Sequence, residues 1–549
     1  MALIEDKHYY VASPSVVLRE APDAKSEPKN HLLFGDWLAY KGPTQNGFAR
    51  IFCRGNVGWI PLSSIREDRI LEINFLDIGI GDGCHIVTPD DEIMLIDAGK
   101  TDNMERFLSW RYNLRNRKVK GVDGIADTDP KGRSPMEIDH VVMSHPDKDH
   151  YYGFLNVFKN KKLSVKNIYH SGIVERPIKA ADKDPSLHYY SGDDLGGYLK
   201  FNRSTAYIWE MIRSNTAMHN IIAKFPKTTK QYMTTLREAV KNSPNVKFHT
   251  LSYKTGFLDG FSAQDKMAIE VMGPVTESIK KGTETKECLK RLGAEGVTKN
   301  GHSIVFKLKI GKLLVFLGGD LNTESEDYLI QHYCETDKAV SKIEKEVSKL
   351  IAKGSAITHS ESQDLAEYQT ELQAIIAKAR KVFQADVVKA CHHGSHHFSE
   401  TFLKCLNAIV TVVSSGDGDS YAHPRPDALG SFGKYGRGER PLIFSTEIGR
   451  STKEFSNIYD YYEQLKAYEA AIDVAPTAAI KKDIREEMEG KKDRNVVVYG
   501  MITLRTDGEQ VILAQKLEQP AGDDQKWDIH ELKYNANNLQ FEYVKKTGH

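Results

Sequence analysis

His145-Pro146-Asp147-Lys148-Asp149-His150 constrains this chain more than any other stretch, because it sets four metal-ligand side chains within six residues. With Ser144 before it, it follows on Ile138-Asp139-His140-Val141-Val142-Met143, an apolar run that predicts a buried strand. The four therefore leave a strand end on a loop. Neutral imidazole and ionised carboxylate are the side chains that bind divalent first-row cations. Alternate residues of such a loop can converge, so His145 and Asp147 could serve one ion and Asp149 and His150 a second. A solvated polar loop is the plain alternative, but it has no need of so many ligand-type residues.

At 549 residues the chain exceeds one ordinary core, and roughly two to four domains are expected. Lys plus Arg and Asp plus Glu are equal at 75 each, so net charge gives no evidence for a polyanion partner, though a local basic groove stays open. The six cysteines carry no C-x-x-C pair, which argues against a disulfide framework or a zinc finger and fits a reducing compartment. Met1 to Val11 holds charges and tyrosines where a secretory signal needs an apolar core. No run approaches the ~18 apolar residues of a membrane span. The expectation is a cytoplasmic protein with no membrane partner.

Residues 1–68 read as a small β module. Tyr9-Val11, Val16-Leu18, Leu32-Leu38, Phe48-Phe52 and Gly58-Ile60 alternate with turn clusters such as Gly42-Pro43 and Asn46-Gly47. Val17-Leu18-Arg19-Glu20-Ala21-Pro22 and the closing Gly58-Trp59-Ile60-Pro61 resemble a bacterial SH3-like domain, a small β-barrel. The resemblance implies a module that docks a protein partner or grips a ligand, with no chemistry of its own. Strands that merely pad the next domain are the alternative.

From Leu71 the pattern changes. Leu71 to Asp77 predicts a strand, followed by Ile78-Gly79-Ile80-Gly81-Asp82-Gly83 and by Ile93-Met94-Leu95-Ile96-Asp97-Ala98-Gly99. Asn300 to Phe306 and Leu313 to Asp320 read as a hairpin with His302 and Asp320 at its outer ends. Asp386 to Cys391 predicts a strand delivering His392-His393-Gly394-Ser395-His396-His397, and Ala408-Ser414 another, ahead of a flexible loop, 416–421, and Ala422-His423-Pro424-Arg425-Pro426. Together these resemble the metallo-β-lactamase superfamily, and within it the soluble hydrolase domain of ComEC-type competence proteins, with Ile80 where that subgroup has glutamine.

The resemblance implies an α/β fold, a four-layered αββα sandwich over residues 69–549. It implies metal ligands at His145, Asp147, Asp149, His150, His302, Asp320 and His393. One ion would take His145, Asp147 and His302, the other Asp149, His150 and His393, with Asp320 bridging. Asp97 would orient ligands from behind, as would Asp77 and Ser395. His392 would face the substrate. His423 could be a ligand or a general acid that touches phosphate, and the second role is expected; Asp149 joins it and His392 among the catalytic candidates. Asp147 stands where many members carry histidine, which tilts the two divalent ions from zinc towards manganese.

Three helical insertions interrupt the pattern, at about 182–250, 322–383 and 452–490. The first has helices expected near Thr205-Met218 and Lys230-Val240; its aromatics (Tyr189, Tyr190, Tyr198, Phe201, Tyr207, Trp209) could line a strand-binding groove, but core packing is the plainer expectation. The second reads as amphipathic helices over Ala339-Ile351 and Ser362-Phe383, either a cap or a solvated excursion. Strands return at Leu442-Thr446, Val496-Thr503 and Val511-Ala514, and a last hairpin joins Trp527-Lys533 to Leu539-Val544.

Two cations ~3.5 to 4 Å apart suit in-line displacement at a phosphodiester. The leading expectation is thus a metal-dependent phosphodiesterase, a nuclease on DNA, serving DNA processing or phage defence by analogy alone. A small-molecule ester, lactam or phosphoester hydrolase is the second reading. A partner-binding component with a regulatory metal site is the third.

Overall fold

The computed structural model describes residues 3–190, 195–203, 205–416, 421–446, 458–494, 500–517 and 520–544. Residues 417–420 of the loop expected at 416–421, the start of the 452–490 insertion and the first residues of the strand expected at Val496-Thr503 thus lie outside the described residues. The chain is a mixed α/β protein whose described strands form four sheets.

Two sheets carry the body of the fold. The ten-stranded sheet runs from Lys247–Thr250 at one edge through Leu163–His170, Met136–Val142, Ile93–Ala98, Gly83–Val87 and Leu71–Phe75. It continues through Ile502–Thr506, Gln510–Lys516 and Trp527–Asn535 to Gln540–Tyr543, so the last part of the chain extends the sheet begun by its middle. A seven-stranded sheet orders Gly256–Phe257, Met267–Gly273, Val305–Ile310, Leu313–Leu317, Val387–Lys389, Val410–Val413 and Leu442–Ser445; its last four strands run parallel.

Side-chain alternation sets the layers. Leu71, Ile73, Phe75 and Met94 of the larger sheet share one core with Phe306, Leu308, Val315 and Val387 of the smaller. The opposite face of the larger sheet, with Leu95, Ile138 and Val141, packs on Phe107, Phe154 and Leu236 from the helices Asn103–Arg111, Phe154–Lys159 and Gln231–Asn242. The far face of the smaller sheet, with Val305, Phe316 and Val388, packs on Leu329, Ile343 and Ile375 from Thr323–Cys334, Val340–Ile351 and His359–Phe383. Strands covered on both faces need apolar residues at every position, which is why they read as continuous apolar runs.

The first 68 residues supply a seven-stranded antiparallel sheet with its own core of Tyr9, Val11, Leu18, Leu38, Ile51 and Ile60. It is fastened to the larger sheet by an apolar seam of Leu33, Phe34, Ile70, Ile512 and Trp527 and by the Arg505 guanidinium, which donates to the Phe34 carbonyl at 2.9 Å and to Asp36 at 2.8 Å.

Two expectations shift. The run Leu32-Leu38 is broken at the Phe34-Gly35-Asp36 turn into Pro28–Leu33 and Trp37–Gln45. The helix expected over Thr205-Met218 is instead the strand Ala206–Ile208 followed by the helix Asn215–Lys224, capped by the Ser214 hydroxyl, which accepts from the Ala217 amide. That strand belongs to a small four-stranded sheet with Tyr198–Lys200, Glu277–Lys281 and Glu284–Lys290, where Tyr190, Tyr198, Tyr207 and Trp209 are buried. These aromatics pack a core, while Phe201 is exposed.

Candidate metal centre

Strand ends of both large sheets open onto one place. Met136–Val142 leads to Ser144 and His145, and the short helix Lys148–Tyr151 presents His150. Leu313–Leu317 delivers Asp320, Val387–Lys389 delivers His392 and His393, and the turn before Gly83–Val87 delivers Asp82. Asp82, His150, Asp320 and His393 are all buried and can each offer one atom to a common point, their ligand atoms lying within 4.8 Å of one another. Such a group can hold a metal ion.

Asp320 is the hub. Its Oδ2 lies 3.2 Å from His150 Nε2, 3.3 Å from His393 Nε2 and 3.9 Å from His392 Nε2. The other nitrogens of both principal histidines are spoken for: His150 Nδ1 donates to Asp97 Oδ2 at 2.8 Å, and His393 Nδ1 donates to the Ser414 carbonyl at 3.2 Å. Each hydrogen bond suits a ring that keeps its proton on Nδ1 and would turn an Nε2 lone pair inward once a cation takes the place of the second proton, as a ligating histidine requires. His150 Nε2, His393 Nε2, His145 Nε2, Asp82 Oδ1 and Asp320 Oδ1 are buried without a hydrogen bond. Four of these residues, Asp82, His150, Asp320 and His393, bring ligand-type atoms within 4.8 Å of one another, and such a concentration of unsatisfied buried atoms fits a bound cation, since buried polar atoms otherwise find partners.

Electrostatics agree with a site built for positive charge. Burial would lower His150, yet Asp320 and Asp97 carry it well above the usual histidine value. Burial would raise Asp320, but His150, His393 and His392 hold it well below the usual carboxylate range. His145 is driven well below its usual value by burial and by His150, so it stays neutral, with Nδ1 3.1 Å from the Ser144 hydroxyl and 3.2 Å from that of Ser303. Burial pushes His392 down to about 4.

The remaining residues singled out in the sequence divide. Asp149 approaches the cluster, its Oδ2 3.7 Å from His393 Nε2. Asp147 lines the cleft but is ion-paired to Lys299, which also holds Glu175 at 2.9 Å. Asp97 supports from behind, accepting from the Ser144 amide at 2.8 Å as well as from His150. Ser395 lines the cleft, and its Oγ accepts from the His397 amide at 3.3 Å. His423 stands beside the cluster, its ring 5.7 Å from that of His392 and 6.0 Å from that of His393. Asp77 is elsewhere, its Oδ1 accepting from the Gly79 amide at 3.4 Å in the turn that leads to Asp82.

His302 is corrected. The chain over Glu295–Gly301 forms a helix rather than the start of a strand, and His302 ends it; its Nε2 donates to the Lys290 carbonyl at 2.6 Å, which removes that nitrogen as a ligand. Ser303 points inward in its place, accepting from the Asp320 amide at 3.0 Å. A strand beginning at Val305 carries Ser303, not His302, to the cluster.

Two functional candidates escape the sequence reading. Asp82 lies between Gly81 and Gly83, with its Oδ1 3.0 Å from His393 Nδ1. Lys389, at the end of the buried strand, ion-pairs with Asp82 and donates to the Gly319 carbonyl at 3.3 Å; burial lowers it to about 7. A lysine closing the apolar run Val387-Val388 was the available signal, because an amine is buried at a strand end only with a partner.

The cluster opens into a cleft of about 860 Å³. Lys100, Lys148 and Arg425 bring cations to its walls, and Tyr421, exposed, stacks on His423 at 5.9 Å. No family model matches this chain, and no curated protein matches it.

Proposed function

We propose that this chain is a metal-dependent phosphodiesterase that cleaves nucleic acid, DNA foremost, on a metallo-β-lactamase sandwich preceded by an SH3-like barrel. The order of layers, helices outside two facing sheets, supports that fold assignment, and the site sits at strand ends as it does in open α/β architectures. The observation that carries the function is the convergence of His150, Asp320, His393 and Asp82, of which Asp320 and His393 line a cation-walled cleft.

A bound divalent ion, or a pair of them, would polarise a phosphate and lower the pKa of an attacking water. His150, His393, Asp82 and Asp320 would hold the first ion; His145, Asp149 and Asp147 are placed for a second, with Asp147 exchanging Lys299 for it. Three histidines among four carboxylates make an oxygen-rich set that favours manganese over zinc. Lys100, Lys148 and Arg425 counter the charge of a phosphate backbone, and Tyr421 offers a face on which an unpaired base stacks. His423, on the same wall, is positioned to give a proton to the departing oxygen. Three cations on the cleft wall, Lys100, Lys148 and Arg425, suit a polyanion better than a lactam or simple ester, which ranks the small-molecule reading second.

The test is turnover of labelled single- and double-stranded DNA, a generic phosphodiester and a lactam by manganese-loaded protein, with and without chelator. Chelator-sensitive cleavage of DNA is expected. Turnover of the lactam with DNA left intact would overturn the proposal.

A further inference from the structure

A second cleft, of about 570 Å³, lies between the N-terminal sheet and the ten-stranded sheet. The wall between them is a buried ion network. Asp36 accepts from Arg54 at 2.7 Å and Arg505 at 2.8 Å; Glu72 accepts from Arg111 at 3.0 Å and lies 3.7 Å from Arg505. Three guanidinium groups face two carboxylates, an excess of one positive charge. Arg505, Asp36 and Glu72 are nearly inaccessible, but the side chains of Arg54 and Arg111 remain 30 % and 28 % exposed, and both line the cleft.

Two lysines extend the positive field. Lys526, on the cleft wall, pairs at 2.7 Å only with the exposed Asp523 among the described carboxylates. Lys516 is lowered to about 8 by burial and by the repulsion of Arg54 and Lys526. Burial is the larger cause, and the cationic neighbours add to it, so the cleft wall carries a local excess of positive charge that an anion would offset. The same cleft carries aromatic faces: Trp37 and Phe52 from the N-terminal sheet, and Trp110, 39 % exposed, from the helix Asn103–Arg111.

We propose that this cleft binds a nucleotide, with phosphate on Arg54, Arg111 and Lys526 and the base against Trp110. Guanidinium forks match phosphate oxygens, and an exposed indole stacks on a base. The ligand spans the N-terminal sheet and the body of the fold, giving the N-terminal module a sensing role. This inference stands on residues separate from the metal centre and does not rest on the nuclease reading.

The experiment is calorimetric titration of the full chain with ADP, inorganic phosphate and adenosine. ADP is expected to bind saturably, with phosphate and adenosine each at least tenfold weaker. Trp110→Ala and Lys526→Glu should each weaken ADP at least tenfold without changing the melting temperature appreciably, while Asp320→Asn leaves it unchanged. No saturable ADP binding at millimolar concentration, binding that survives both substitutions, loss of binding in Asp320→Asn, or phosphate bound as tightly as ADP would each overturn the assignment.

Discussion

His150 Nδ1 meets Asp97 Oδ2 at 2.8 Å, a contact that fixes the ring so that Nε2 faces Asp320. Asp97 itself sits at the end of Ile93–Ala98 with φ of 56°, a left-handed conformation that an aspartate tolerates and that turns its carboxylate to the Ser144 amide and His150 together. Asp97→Asn keeps the shape and removes the charge. Metal affinity is expected to fall about 10- to 100-fold, the usual cost of losing such a support, measured by competition with a fluorescent chelator. An unchanged affinity would show that Asp97 does not orient the ligand.

Asp82 and His302 form a contrasting pair. Asp82→Asn should strip metal from the protein and release Lys389 from its ion pair. His302→Ala should leave metal binding intact and destabilise the fold by about 1–3 kcal/mol, because the Lys290 carbonyl loses its donor in a buried setting. Metal content and urea midpoints on both variants check this; metal lost from the His302 variant with its stability intact would reverse the assignment.

Gly81 is tested by a single methyl. Its φ is +101°, and a Cβ there would lie 1.7 Å from the Asp149 carbonyl oxygen. Gly81→Ala must therefore push apart the turn bearing Asp82 and the helix bearing Asp149 and His150. A loss of at least ~2 kcal/mol is expected from strain and overpacking, together with lost metal binding. Thermal melts and metal content read both effects.

The seam between the N-terminal sheet and the body carries a pH dependence. Burial would raise the Asp36 carboxyl, but Arg54 and Arg505 bring it from 3.8 to about 2. A depressed carboxylate adds stability that is present in full above its unfolded value and is lost as pH falls through its folded value. Between pH ~4 and ~2 the seam should lose on the order of 2 kcal/mol through this group. Urea denaturation across that window is expected to show the decline, and Asp36→Asn to flatten it.

Local runs were legible in the sequence; junctions were not. His145 to His150 are neighbours in the chain, so their convergence needed only a strand end. His393 and Asp320 followed buried apolar strands and could be read the same way. Asp82 could not, because a carboxylate between glycines reads as a turn, and its role appears only where the Asp149 backbone crosses Gly81. His302 was misread because Glu295–Gly301 closes as a helix, shifting the inward-facing position by one residue to Ser303. The hairpin Glu277–Lys281 with Glu284–Lys290 was missed for another reason: its charged, half-exposed strands lack an apolar run and gain their burial from the first insertion.

The most direct test of the metal centre measures bound manganese and DNA cleavage on the same gel-filtered samples of the native chain and of Asp320→Ala. The account predicts at least one ion per native chain with chelator-sensitive cleavage, and the loss of both in the variant, whose melting curve confirms that it is folded. Cleavage and metal content that persist without the Asp320 carboxylate would contradict it.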